Sequence, residues 1–174
     1  MKIKLMSGAL VLALLSPLTY ADTSAFGMTL GKTTLDAFMK DYPSAVKEGI
    51  SEWTDGEIYS IPAGVLNFDG LKGDYVIFTQ DGKLTAITIN LDKERFNKIH
   101  EMLAKKYKVA QKNIPFVGNK LVRYTNGDDV IELNAPHLSF EMNLLYAEKK
   151  FMDVYSKRKT KKESKKDSDE LNKL

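Results

Sequence analysis

From Leu138 to Tyr146 the side chains alternate without a break, with Leu138, Phe140, Met142, Leu144 and Tyr146 on one side and Ser139, Glu141, Asn143 and Leu145 on the other. Period two sustained over nine residues predicts a strand with one face on a core and one facing outward. It commits the chain to a sheet that something else must cover. Earlier segments repeat the pattern. Val65 to Phe68, Tyr75 to Thr79 and Leu84 to Leu91 are rich in branched and aromatic residues, and Asp69-Gly70 and Asp81-Gly82 between them suit tight turns. Lys120 to Tyr124 and Val130 to Asn134 read as two more strands, joined by Asn126-Gly127.

The cover comes from segments with helical period. Asp92 to Lys108 places Phe96, Ile99, Leu103 and Tyr107 on one stripe with Met102 alongside, and puts Lys105, Lys106 and Lys108 where they complement the helix dipole. Burying such a stripe contributes on the order of 1.5 to 3 kcal/mol per side chain before entropy is charged against it. Thr33, with Asp36 three residues on, predicts a capped helix carrying Leu35, Phe38, Met39 and Tyr42, ended by Pro43. A third helical stretch spans Ala147 to Tyr155. Asp55-Gly56, between Trp53 and Ile58, signals a hairpin. The predicted class is α+β: an antiparallel sheet with helices packed on one face, in the order helix, strands, helix, strands, helix. Its two helix-then-strands halves suggest a duplicated architecture, without a residue-level repeat.

The two ends differ from this body. Lys2 and Lys4 precede an apolar stretch from Leu5 to Leu15, then Ser16-Pro17, and Thr19-Tyr20-Ala21 sets small residues for a cut after Ala21. This is the three-part order of a secretory signal peptide. The stretch is shorter than the roughly 20 apolar residues of a bilayer span. Residues 1–21 are therefore expected to be removed on export to the periplasm or medium, leaving a single domain over 22–156. Residues 157–174 hold eight bases and four acids, net +4, whereas 22–156 hold 16 bases and 19 acids, net −3. With no apolar residue from Lys157 to Lys166, the tail is expected to be disordered or a frayed helix.

With no cysteine in the chain, thiol nucleophiles, redox pairs and thiolate metal sites are excluded. Gly31-Lys32-Thr33 lacks the upstream glycine of a phosphate loop, Phe26 standing there instead. His100 borders the second helix's stripe and His137 follows Pro136; neither has an orienting acid or a second ligand at a useful spacing. The acid-rich turns lack the alternating oxygen ligands of a calcium loop. No catalytic, cofactor-binding or metal residue is predicted. The candidate interaction residues are Trp53, as a hairpin aromatic; Ile114, Pro115 and Phe116, apolar in the otherwise polar connection Gln111 to Gly118; and the cations Lys157, Arg158, Lys159, Lys161 and Lys162.

Phe26-Gly27-Met28-Thr29-Leu30-Gly31-Lys32-Thr33 resembles the start of several small bacterial envelope proteins in which Gly-x-x-Leu-Gly-x-Thr leads into a short helix. The helix-then-strands order is similar to that of β-lactamase-inhibitor-like envelope modules, and that likeness implies protein binding. Such modules often carry disulfides, which this chain lacks, and no functional residue is carried over.

The expected function is a non-enzymatic interaction module for an envelope or secreted protein, as an inhibitor, immunity or assembly factor. Its contact surface would be the uncovered sheet face or the Gln111 to Gly118 loop. The alternatives are a small apolar ligand or lipid on the sheet face, and a hydrolase without a recognisable signature. No cofactor and no nucleic acid are expected, the body being acidic, and the basic tail would touch an anionic membrane surface only weakly.

Overall fold

The computed structural model describes residues 21–171, so all of the expected signal segment except Ala21 lies outside the described residues. A two-stranded hairpin, β1 (Ser24–Ala25) and β2 (Met28–Thr29), leads into α1 (Leu35–Asp41). Four strands follow: β3 (Val46–Ile50), β4 (Asp55–Ser60), β5 (Leu71–Thr79) and β6 (Leu84–Asp92). A 3-10 turn (Lys93–Arg95) opens α2 (Phe96–Lys106), and four more strands come next: β7 (Lys108–Asn113), β8 (Lys120–Asn126), β9 (Asp129–Ala135) and β10 (Glu141–Ala147). The chain ends in α3 (Lys149–Leu171).

All eight longer strands form one antiparallel sheet in the order β3-β4-β5-β6-β10-β9-β8-β7. Each half is a helix followed by a four-strand meander, and the last strands, β6 and β10, pair at the centre, Leu144 opposite Ile89. The sheet thus reads alike from either edge.

The α+β class and the antiparallel sheet are as the sequence predicts, but the helices do not share one face. Phe38 of α1 and Phe96, Ile99 and Leu103 of α2 bury with Val76, Phe78, Ile87, Ile89, Leu133, Met142 and Leu144 in one cluster. Phe151 and Met152 of α3 bury with Ile77, Ala86, Leu145 and Ala147 in another. Side chains of neighbouring strand residues point to opposite faces, so α3 lies on the far side of the sheet. The expected order also needs its opening hairpin added. Thr34, not Thr33, caps α1, its hydroxyl accepting from the Ala37 N–H at 3.2 Å. The Thr33 hydroxyl instead accepts from the Thr29 N–H at 2.8 Å. Residues 65–68, predicted as a strand, lie in the β4–β5 loop, and Met102 is exposed on α2.

Gly56 shows one local reason for the register. A Cβ there would collide with the Phe78 and Thr79 carbonyls, so only glycine lets β4 approach β5 this closely. The preceding Asp55 has φ 56°, a left-handed conformation that Asp tolerates better than most residues.

Candidate interaction surface

On the face opposite α1 and α2, the strands present a polar centre and an apolar end. In the centre the Asn143 amide donates to the Thr88 hydroxyl at 2.6 Å and to the Asn90 side-chain carbonyl at 3.1 Å. Arg123 Nε pairs with Glu132 at 2.6 Å on the neighbouring strands. At the apolar end α3 begins. Phe151 and Tyr155 stack with ring centres 6.0 Å apart, and Trp53, in the turn between β3 and β4, meets both edge-on at 6.0 and 5.8 Å. The cleft between them, about 580 Å³, is lined by this aromatic trio, by Ile58, Ile77 and Leu145, and by the amide row. It falls in the usual range for ligand or peptide sites.

A second cleft of about 770 Å³ shares Glu48 and Tyr75 with the first and runs under the β4–β5 loop, where Asp69 and Asp74 line it. Asp74 is buried and accepts the Ile61 N–H at 3.1 Å. Burial pushes its carboxyl up to about 6, against the lowering effect of that hydrogen bond. The acidity is regional. Residues 22–92 carry five bases and eleven acids, net −6, whereas residues 96–126 carry seven bases and one acid, net +6.

Glu48 and Glu132 both border the first cleft, on β3 and β9. Those strands are five places apart in the sheet, roughly 24 Å at the usual strand spacing. Among the described residues no three His, Asp or Glu side chains gather as metal ligands. His100 Nδ1 lies 2.6 Å from the Tyr124 hydroxyl, and burial holds the ring below its usual pKa. A neutral imidazole accepting a phenol O–H is the arrangement that fits. The His137 N–H is held by the Asn119 side chain at 2.8 Å.

That contact joins two loops at the rim of the sheet. In the β7–β8 loop Phe116 is fully exposed and Val117 largely so; in the β9–β10 loop Leu138 and Phe140 are 94% and 95% exposed. Lys93 braces the second loop: its N–H donates to the Phe140 carbonyl at 2.9 Å, and its ammonium to the carbonyls of His137, at 2.9 Å, and Pro136. Four apolar side chains therefore stand in solvent on a backbone that is tied down.

The predicted interaction residues divide. Trp53 lines the cleft. Phe116 is at the rim, while Ile114 is half-buried against the main core. Lys157, Arg158, Lys159, Lys161 and Lys162 all fall within α3, which runs as helix into the expected tail as far as Leu171; Arg158 donates to the Glu52 carbonyl. Gln111 to Asn113, read as loop, complete the edge strand β7. The alternating period places Leu138 and Phe140 on the core face, but β10 begins only at Glu141 and both stand in solvent. Pro136, two residues before Leu138, was the signal that the strand starts later. Tyr75 and the row of Thr88, Asn90 and Asn143 carried no sequence signal beyond their place on the polar side of a strand.

Comparison of the chain with protein-family models, with characterised proteins and with solved structures finds no match.

Proposed function

We propose that this protein is an exported, non-enzymatic interaction module that seats a partner protein across the open face of its sheet. The observation that carries the reading is the cleft on that face, in which the Trp53, Phe151 and Tyr155 cluster adjoins the polar side chains of Asn143, Thr88 and Asn134. Aromatic anchors beside satisfiable polar groups are the usual make-up of a protein contact surface. The exposed Phe116, Val117, Leu138 and Phe140 at the rim extend it. Because Glu48 and Asp69 line the adjoining cleft, the partner would offer a basic segment there. Such a module would serve as an inhibitor, immunity or assembly factor in the periplasm after cleavage near Ala21. The β-lactamase-inhibitor-like likeness points the same way, as a proposal.

A purely apolar ligand suits the open face less well, since it would strip water from the Asn143, Asn90 and Thr88 side chains without replacing their bonds. To test the reading, a photo-reactive residue is placed at Tyr75, at Phe116 and, as a control on α2, at Lys98 in cells making the full chain. Crosslinks to one protein from the first two sites but not the third, lost with Trp53→Ala, are expected. Equal crosslinking from all three sites counts against it, and fractionation that leaves the chain in the cytosol overturns the export step.

A further inference from the structure

A narrow slot of about 250 Å³ opens on the other side of the sheet, between the N-terminal hairpin and α2. Its walls are apolar along most of their length: Phe26 and Phe68 on one side, Ile99 and Leu103 on the other, Ile89 and Leu144 beneath. One end is different. Tyr146 lines the slot and is 8% exposed, yet its hydroxyl has no hydrogen-bond partner among the described residues. Next to it stands Tyr107, with ring centres 6.3 Å apart, and the Lys106 ammonium lies 5.0 Å over the Tyr107 ring. Lys106 also donates to the Ser24 carbonyl at 3.1 Å, which places it at the mouth beside the hairpin. Lys105, Lys106, Lys108 and Lys112 follow one another here with no acid from Met102 to Asn113.

The Tyr146 hydroxyl meets no protein acceptor but is not sealed from water, so an anionic head that reached it would replace a bond to solvent with a charge-assisted one. Burial raises the Tyr146 pKa, so the group stays protonated and can only gain by donating. The slot thus combines an apolar wall that suits methylenes, a hydroxyl donor with no protein acceptor, and a cation at the opening. We propose that it binds a single acyl chain with an anionic head, the head against Lys106 and Tyr146 and the chain between α2 and strands β6 and β10. Fatty acids and monoacyl phospholipids share that chemistry. The site is separate from the open face, and a protein partner there is neither required nor precluded.

The test titrates the mature chain with decanoate, with a ten-carbon lysophosphatidylglycerol and with decanol, followed by calorimetry and native mass spectrometry. One equivalent of an anionic amphiphile is expected, with decanol bound about tenfold more weakly. Binding of the acid identifies a free fatty acid as the source, and binding of the lysolipid alone a membrane-derived one. Lys106→Gln, at an exposed position, and Tyr146→Phe should each weaken binding about tenfold. Met102→Trp should block the slot while leaving the thermal melt in place. No saturable binding of either anion, equal binding of decanol, or full affinity in Lys106→Gln overturns the proposal.

Discussion

Leu144 and Asn143 are neighbours in β10, yet Leu144 is 3% exposed in the cluster that α1 and α2 cover, whereas Asn143 sits half-exposed in a row of polar side chains. The same contrast repeats along β6, where Ile87, Ile89 and Leu91 bury while Thr88 and Asn90 do not. Two helices cover one face, and the other is covered only where α3 begins. One face therefore holds the molecule together, and the other is free to be used. The sharpest way to break the first is a charge beneath α2. Leu103→Asp puts an unpaired carboxylate into the buried cluster, a change beyond the few kcal/mol that hold a domain of this size. The cooperative melt should vanish; a variant that still melts in one step would show that α2 does not close the core.

Next comes the pair in β10 itself. Leu144→Ala should lower stability by about 3 kcal/mol through lost burial and a residual cavity. Asn143→Ala removes two hydrogen bonds at a half-exposed site and should lower it by less than about 1 kcal/mol. Urea unfolding of both variants measures the difference, and equal losses would mean that the open face contributes to stability as much as the covered one.

Asp74 shares the parity of Val76 and Phe78 and so places a carboxylate on the side of the covered face. Its folded pKa, about 6, stands above the ordinary 3.8. The folded state therefore binds the proton more tightly than the unfolded state. The stabilisation this gives is complete below about pH 4 and is lost as pH rises through about 6. At neutral pH the charged group opposes folding by on the order of 2 kcal/mol. Asp74→Asn keeps an acceptor for the Ile61 N–H and should flatten the stability profile between pH 4 and 7 while raising the value at 7. An unchanged profile would place this carboxyl in contact with water.

Much of the covered face was legible because burial imposes a period: Phe96, Ile99 and Leu103 at helical spacing, and Met142, Leu144 and Tyr146 at strand spacing, are where the sequence places them. The face that α3 takes was not legible. Phe151, Val154 and Tyr155 show a helical stripe but not which side of the sheet receives it, and apolar residues on the outward parity, Leu145, Ile77 and Ile58 among them, were the hint. The cleft itself escaped because polar strand residues look alike whether they line a site or face water. The loop Val65 to Phe68 misled because its apolar residues imitate a strand; Leu66 and Phe68 do pack on the core, though without a strand partner.

The smallest effect on stability is expected at the rim, where apolar residues do no structural work. Phe116 and Phe140 have almost all of their surface in water already, so replacing both with Ser removes little that folding had buried. The loop backbones keep their ties through Asn119, Lys93 and the His137 carbonyl, none of which uses the exchanged side chains. The double variant should melt within about 0.5 kcal/mol of the parent and be less prone to self-associate, since it exposes two fewer large apolar groups. If the rim belongs to the contact surface, the same change should abolish the crosslink from Tyr75. A variant that melts early would instead assign Phe116 and Phe140 to the fold and leave the open cleft to act alone.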